Sequence, residues 1–159
     1  MEDKNGRIWV STTSRFVNCY DTNTESFVDY TGKGSSRNYR DMKVMPNGDV
    51  WLWGIEDGAC HISYMAGKAE PVLYDINNIG TNVIAFVLKD FSGETWIGTD
   101  KGLVQIVNGI PKYANTGNHN YTYHSAIELK GRIYFFTNND RILVFDMLRE
   151  GVRPLSDYH

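Results

Sequence analysis

Four echoes of a glycine followed three residues later by an aromatic, a distance of about 40 residues between echoes, and no amphipathic helix between them predict an all-β fold of β-propeller blades. The echoes are Asn5-Gly6-Arg7-Ile8-Trp9, Asn47-Gly48-Asp49-Val50-Trp51, Ser92-Gly93-Glu94-Thr95-Trp96 and Lys130-Gly131-Arg132-Ile133-Tyr134. Helical repeats of similar length are excluded, because the apolar residues come in short β-branched and aromatic runs broken by Gly, Asn and Asp.

Each unit reads as strands A to D of an antiparallel four-stranded blade, numbered from the propeller axis outward. Gly6, Gly48, Gly93 and Gly131 sit in the turn from A into B, where a two-residue hairpin needs positive φ; Asn5-Gly6 and Asn47-Gly48 are the strongest such signals. Strand B carries Trp9, Trp51, Trp96 and Tyr134, and its consecutive apolar residues predict burial on both faces. Strand A is expected at 39–45, 83–89 and 123–129. Strand C is expected at 16–20, 59–64, 103–107 and 142–145. Strand D is expected at 26–30, 70–74, 110–113 and 152–156, and Pro71, Pro111 and Pro154 fall in it, at an outer edge that tolerates a missing N–H.

The first unit begins at its A-to-B turn and so lacks an inner strand. The reading is therefore a partial propeller over residues 1–159, with blades at about 1–34, 35–76, 77–116 and 117–159. The sequence predicts a fragment of a larger propeller, with the remaining blades of a parent protein or a second copy as partner, because open sheet edges invite pairing.

Composition narrows the function. With 42% hydrophobic and 13% aromatic residues the chain can bury a core. A net charge of −3 and no basic run argue against a nucleic-acid partner. The longest apolar stretch, residues 83–88, falls far short of the roughly 20 residues of a membrane helix, and Met1-Glu2-Asp3 is unlike a signal peptide, so no membrane contact by this segment is expected. Cys19 and Cys60, in C strands of neighbouring blades, are predicted to be free buried thiols. His61, His119, His124 and His159 are scattered, so no metal and no cofactor are expected. Asp3 and Asp90 precede equivalent turns, which assigns them a structural role. Asn120-Tyr121-Thr122 is read as a chance match to a glycosylation sequon.

The stretches "EDKNGRIWVST" (2–12) and "KDFSGETWIGTDKGLVQI" (89–106) resemble the two-component regulator propeller repeat. Its pattern is an acidic residue, Gly, Trp, an aliphatic residue, Gly or Ser, Thr, then Gly-Leu. Asp90, Gly93, Trp96, Gly98, Thr99, Gly102 and Leu103 match it in unit three. Unit one departs at Ser14-Arg15-Phe16, unit two at Met45 or Pro46 and at Ile55, and unit four at Tyr134 and Asn139-Asp140-Arg141. The resemblance implies part of a periplasmic sensor region of a hybrid two-component system, one that responds to oligosaccharides. It also implies that any kinase activity lies outside this chain, which is then no enzyme.

In a propeller the D-to-A and B-to-C connections share one face. Here those loops bring Arg37, Tyr39, Arg40, Asn118, His119, Tyr121 and Tyr123 together with Trp53, and rings beside amides and guanidinium groups suit a sugar ligand. The opposing reading makes the same Asn and Ser ordinary turn residues and the tyrosines packing between blades. Trp53 stands where the repeat wants Gly or Ser, on the same strand face as Trp51; packing between blades and a ligand platform are its two readings. The echo also resembles streptogramin lyases, propellers that use a histidine and an acidic pair with magnesium, and this alternative would enlist His124. A bare protein-interaction scaffold is the third reading.

Overall fold

The computed structural model describes residues 1–12, 17–30, 37–65, 68–116, 121–146, 148 and 151–158. Fifteen strands form four antiparallel sheets in sequence order. Sheet one holds β1 (Arg7–Ser11), β2 (Val17–Asp21) and β3 (Ser26–Asp29). Sheet two holds β4 (Asp41–Val44), β5 (Val50–Trp53), β6 (Ala59–Met65) and β7 (Lys68–Tyr74). Sheet three holds β8 (Ile84–Lys89), β9 (Thr95–Thr99), β10 (Leu103–Val107) and β11 (Ile110–Tyr113). Sheet four holds β12 (Tyr123–Leu129), β13 (Arg132–Thr137), β14 (Ile142–Asp146) and β15 (Val152–Pro154). The predicted strands recur within a few residues. Two short helical turns were not foreseen, α1 (Ile76–Ile79) and a 3-10 turn at Leu155–Asp157. Among the described residues no helix is long and apolar enough to cross a membrane.

Sheet one has three strands, as the first echo implies. On the open edge of β1, Met1 and Glu2 lie where strand A lies in the other sheets. Glu2 bridges Ile8, the Met1 amino group donates to the Trp9 carbonyl at 2.8 Å, and the Trp9 N–H donates back to the Met1 carbonyl at 2.8 Å.

The chain folds as two compact units, Met1–Asn77 and Asn78–His159. In the first, Trp9, Val17, Cys19 and Tyr30 of sheet one and its flank pack with Tyr39, Val50, Leu52, Cys60 and Ile62 beside and within sheet two. In the second, Phe86, Trp96 and Leu103 pack with Tyr121, Tyr123, Ile133, Phe135, Leu143 and Val152. The aromatic of β1 or β9 thus supplies one half of a core and the residues flanking the aromatic of the following sheet supply the other. Each fully buried large side chain contributes about 1.5–3 kcal/mol relative to exposure. Cys19 and Cys60 are free and buried in the first core, and burial pushes their thiols up to about 11 and about 12.

The turns correct one expectation. In the first three sheets the A-to-B connection is a three-residue loop, not a two-residue hairpin. The Gly6 N–H donates to the Asp3 carbonyl at 3.1 Å, the Asp3 N–H donates to the Arg7 carbonyl at 2.9 Å, and only Gly6 has positive φ, at 73°. A type I turn completed by one left-handed residue needs a single glycine. Only sheet four has the shorter form, with φ of 52° at Lys130 and 75° at Gly131.

The longer loop explains the acidic residue. Asp3 Oδ2 accepts from Trp9 Nε1 at 3.0 Å and from Arg7 Nε at 2.7 Å, while Oδ1 accepts from the N–H groups of Asn5 at 2.8 Å and Arg7 at 3.1 Å. Asp90 repeats the device. Its Oδ2 accepts from Trp96 Nε1 at 2.9 Å, and its Oδ1 accepts from the Glu94 N–H at 3.0 Å and Ser92 Oγ at 2.6 Å. One carboxylate closes the turn and satisfies an indole N–H that is otherwise cut off from water. Sheet two reaches a similar turn without it. Pro46 suits the second turn position, and the Asn47 side chain bonds the Asp49 N–H and carboxylate.

Trp53 is 8% exposed and lies on the Trp51 side of β5, opposite Val50 and Leu52. Its cross-strand partner is Asp41, whereas the equivalent pair in sheet three is Gly98 and Phe86. A Cβ at Gly98 would lie 2.1 Å from the Phe86 ring, so that ring occupies the space above the glycine. Sheet two carries its bulk on β5 and sheet three carries it on β8, and Trp53 is buried there.

Candidate functional site on the loop face

Within each unit a B-to-C turn meets D-to-A loop residues at one end of a sheet, and the two units use that end differently. In the first unit the site is filled. Arg37 donates from Nη1 to the Asp57 carbonyl at 2.9 Å and from Nη2 to Asp75 Oδ2 at 2.8 Å, and the Asn38 N–H donates to Asp57 Oδ2 at 2.7 Å. The guanidinium thereby ties a D-to-A loop, the B-to-C turn of sheet two and the segment after β7. Burial alone would raise the Asp75 carboxyl, but the Asn77 N–H and the Arg37 charge outweigh it and hold the carboxyl below its ordinary range.

In the second unit the corresponding region is open. A cleft of about 790 Å³ is lined by Asn78–Gly80, the B-to-C turn Asp100–Leu103, and the end of β11 with Ala114–Thr116. The turn is closed by Thr99, whose N–H and Oγ1 both donate to the Gly102 carbonyl, at 3.0 and 2.7 Å. Lys101 Nζ donates to the Gly80 carbonyl at 2.6 Å, Thr81 Oγ1 donates to Asp100 Oδ1 at 2.6 Å, and Tyr113 Oη donates to the Ile79 carbonyl. The Tyr113 ring stays 49% exposed and abuts Gly102, where a Cβ would lie 3.0 Å from it. Burial and then the nearby Asp100 charge hold its hydroxyl above the usual range, so it remains a neutral donor.

The sheets also differ at one core position. The Tyr30 N–H donates to the Val17 carbonyl and the Ala114 N–H donates to the Leu103 carbonyl in the same way, and Tyr74 pairs with Ala59 at the matching place in sheet two. Tyr30 packs on Trp9 at 5.2 Å between ring centroids and Tyr74 on Trp51 at 5.4 Å. Sheet three has Ala114 there, and Trp96 instead packs on Phe145 at 4.8 Å and Phe135 at 5.4 Å.

The predicted site residues scatter among other roles. Tyr39, Tyr121 and Tyr123 lie in the two cores, and Trp53 is buried on β5. Arg37 is held in its ion pair, and Arg40 is exposed, its N–H donating to the Trp53 carbonyl at 2.9 Å. Asn118 and His119 lie outside the described residues. His124 is exposed on β12 beside a register shift between Tyr123 and Ser125. Sequence reasoning placed Asp100-Lys101-Gly102 in the repeat pattern and Tyr113 in a strand, and so named neither the turn nor the ring as a site.

No family model matches the chain, and no curated protein matches it in sequence. Among solved structures, virginiamycin B lyase from Staphylococcus aureus superposes with a TM-score of 0.66 at 15% identity, over 98% of this chain and 53% of that one. The sheets are blades of a β-propeller. A chain described as the extracellular domain of the hybrid two component system BT3049 from B. thetaiotaomicron is similar with a TM-score of 0.65 at 19% identity, over 94% of this chain and 20% of that one. That of BT4673 gives 0.59 at 13% identity, over 97% and 27%. The chain therefore spans about a fifth to a half of the propeller proteins it resembles, and at these identities the likeness is one of fold.

Proposed function

We propose that this chain is part of an extracytoplasmic, ligand-sensing propeller of a two-component receptor, that it responds to an oligosaccharide, and that it performs no catalysis itself. The observation that carries the reading is the cleft of blade three, with an exposed aromatic ring beside carboxylate, ammonium and amide side chains on the loop face. That is the chemistry of a reversible binding site for a polar ligand. The fold likeness to extracellular domains of two-component systems supports the same reading, from which a periplasmic location follows.

The test is made in the cell that encodes the protein. Deleting residues 1–159 from the gene should abolish the transcriptional response to one polysaccharide among those supplied, with the amount of receptor unchanged. A response that survives the deletion would sink the reading. The lyase alternative rests on fold likeness and on His124. Opening of the streptogramin B lactone by the purified protein would favour it, and no turnover is expected.

The remaining blades of the intact protein are the proposed partner. Ile8, Val10 and Phe27 are exposed on blade one, whereas the residues equivalent to Ile8 and Val10, namely Val50 and Leu52 or Ile133 and Phe135, are fully buried. A protein extended by the preceding blade should bind less of a fluorescent apolar dye than residues 1–159 alone. Equal dye binding would count against this partner.

A further inference from the structure

We infer that the blade-three cleft is a subsite for neutral pyranose rings, with Tyr113 as stacking platform and Asp100 and Lys101 as partners for sugar hydroxyls. The inference rests on the sensing reading above and adds the ligand class and the residues that choose it.

The Tyr113 hydroxyl is committed to the Ile79 carbonyl, which fixes the ring while leaving it 49% exposed. A held, half-exposed ring is a flat apolar surface with little conformational entropy left to lose, and it suits the C–H face of a sugar. Asp100 and Lys101 are adjacent in the turn. The Asp100 carboxylate accepts one hydrogen bond from the Thr81 hydroxyl, and each carboxylate oxygen carries further lone pairs; the Lys101 ammonium spends one of its three donors on Gly80. An acceptor next to a multiple donor matches two neighbouring hydroxyls, each of which both donates and accepts.

Charge sets the class. One carboxylate and one ammonium leave the turn with no net charge, and the chain as a whole is at −3. A phosphate or a uronate would gain from Lys101 and lose to Asp100, so a neutral ring is favoured. The cleft volume of about 790 Å³ lies within the few hundred to about 1,000 Å³ of small-molecule sites, enough for more than one ring.

Tyr113 provides the decisive variant, because its exposed ring is the stacking surface and lies at the end of β11. Chemical shifts of backbone amides in the purified protein would be followed by nuclear magnetic resonance during titration with neutral hexaoses of glucose, xylose and mannose, and with an oligogalacturonate of equal length. At least one neutral hexaose is expected to shift amides within 79–81, 100–103 and 113–116, with the galacturonate at least ten-fold weaker. Tyr113→Ala should weaken binding at least ten-fold, and Lys101→Met by a smaller factor. Lys101→Met covers the case in which Tyr113→Ala fails to fold, and amide dispersion reports folding for both.

Shifts confined to other loops, or a dissociation constant unmoved by Tyr113→Ala, would overturn the cleft while leaving the sensing reading intact. Stronger binding of the galacturonate would overturn the neutral class. No shift with any of the four probes would overturn the subsite, and the gene deletion would still decide the sensing reading by itself.

Discussion

Replacing Asp90 by alanine will lower the unfolding free energy by about 3 kcal/mol, as read from urea denaturation followed by tryptophan fluorescence. The carboxylate accepts from Trp96 Nε1, the Glu94 N–H and Ser92 Oγ. Trp96 is 1% exposed, so its freed indole N–H cannot rehydrate. Hydrogen bonds to charged groups contribute about 1.5–3 kcal/mol each, and a buried donor left unmatched costs about 1–3 kcal/mol; these overlap rather than add. Lys112→Ala on the exposed side of β11 should stay within about 0.5 kcal/mol. A loss at Asp90 no larger than at Lys112 would refute the structural account of the acidic position.

Asp3 extends this result to pH. Burial would raise its carboxyl, but the bonds from Trp9, Asn5 and Arg7 and the Arg7 charge leave it below its ordinary range. The unfolded chain then holds the proton more tightly than the folded one, so stability from this group is complete above about pH 4 and is lost as pH falls through the lower folded value. The denaturation midpoint should drop below about pH 4, with a shallower drop in Asp3→Asn.

Gly58→Ala should be the other large effect, at about 3 kcal/mol in thermal or urea unfolding. Gly58 has φ of 78°, and a Cβ would lie 2.3 Å from the Tyr74 carbonyl oxygen and 3.1 Å from Asp75 Cβ. The left-handed conformation costs an L-residue about 1–2 kcal/mol, and overpacking adds about 1–3 kcal/mol. The obstacle is backbone, so relief requires moving the chain that carries Asp75 and loosening its bond to Arg37. Gly80 separates the two causes. Its φ is 73° with nothing within 4 Å of the added Cβ, so Gly80→Ala should cost only the conformational part, about 1 kcal/mol. Equal losses at the two glycines would show that the contact with Tyr74 is not what matters.

The blade pattern was legible in the sequence because it rests on local signals that repeat. Glycine in the turn, an aromatic three residues later and proline in the outermost strand each follow from backbone geometry within a few residues, and four copies in step override the weakness of any one. The free thiols and the structural role of Asp3 and Asp90 were legible for the same reason. The turn length was misjudged because Asn-Gly suits both a two-residue hairpin and a three-residue loop. Which one forms depends on whether an aspartate or a proline and asparagine stand by to support the longer turn.

The candidate site was less legible. Tyr39, Tyr121 and Tyr123 stand in loops or at strand starts, where a ligand face and packing between blades are both open readings, and all three are buried in the cores. Arg37 reads as a ligand-binding cation and is an internal brace. Local sequence settled where the chain turns and which strands pair, because those choices involve neighbours along the chain. Whether a ring fills a core or faces water was settled by residues far away in sequence. The blade-three cleft is walled by residues 78–80, 100–103 and 113–116, far apart in sequence, and a cavity is the sum of what such distant walls leave empty.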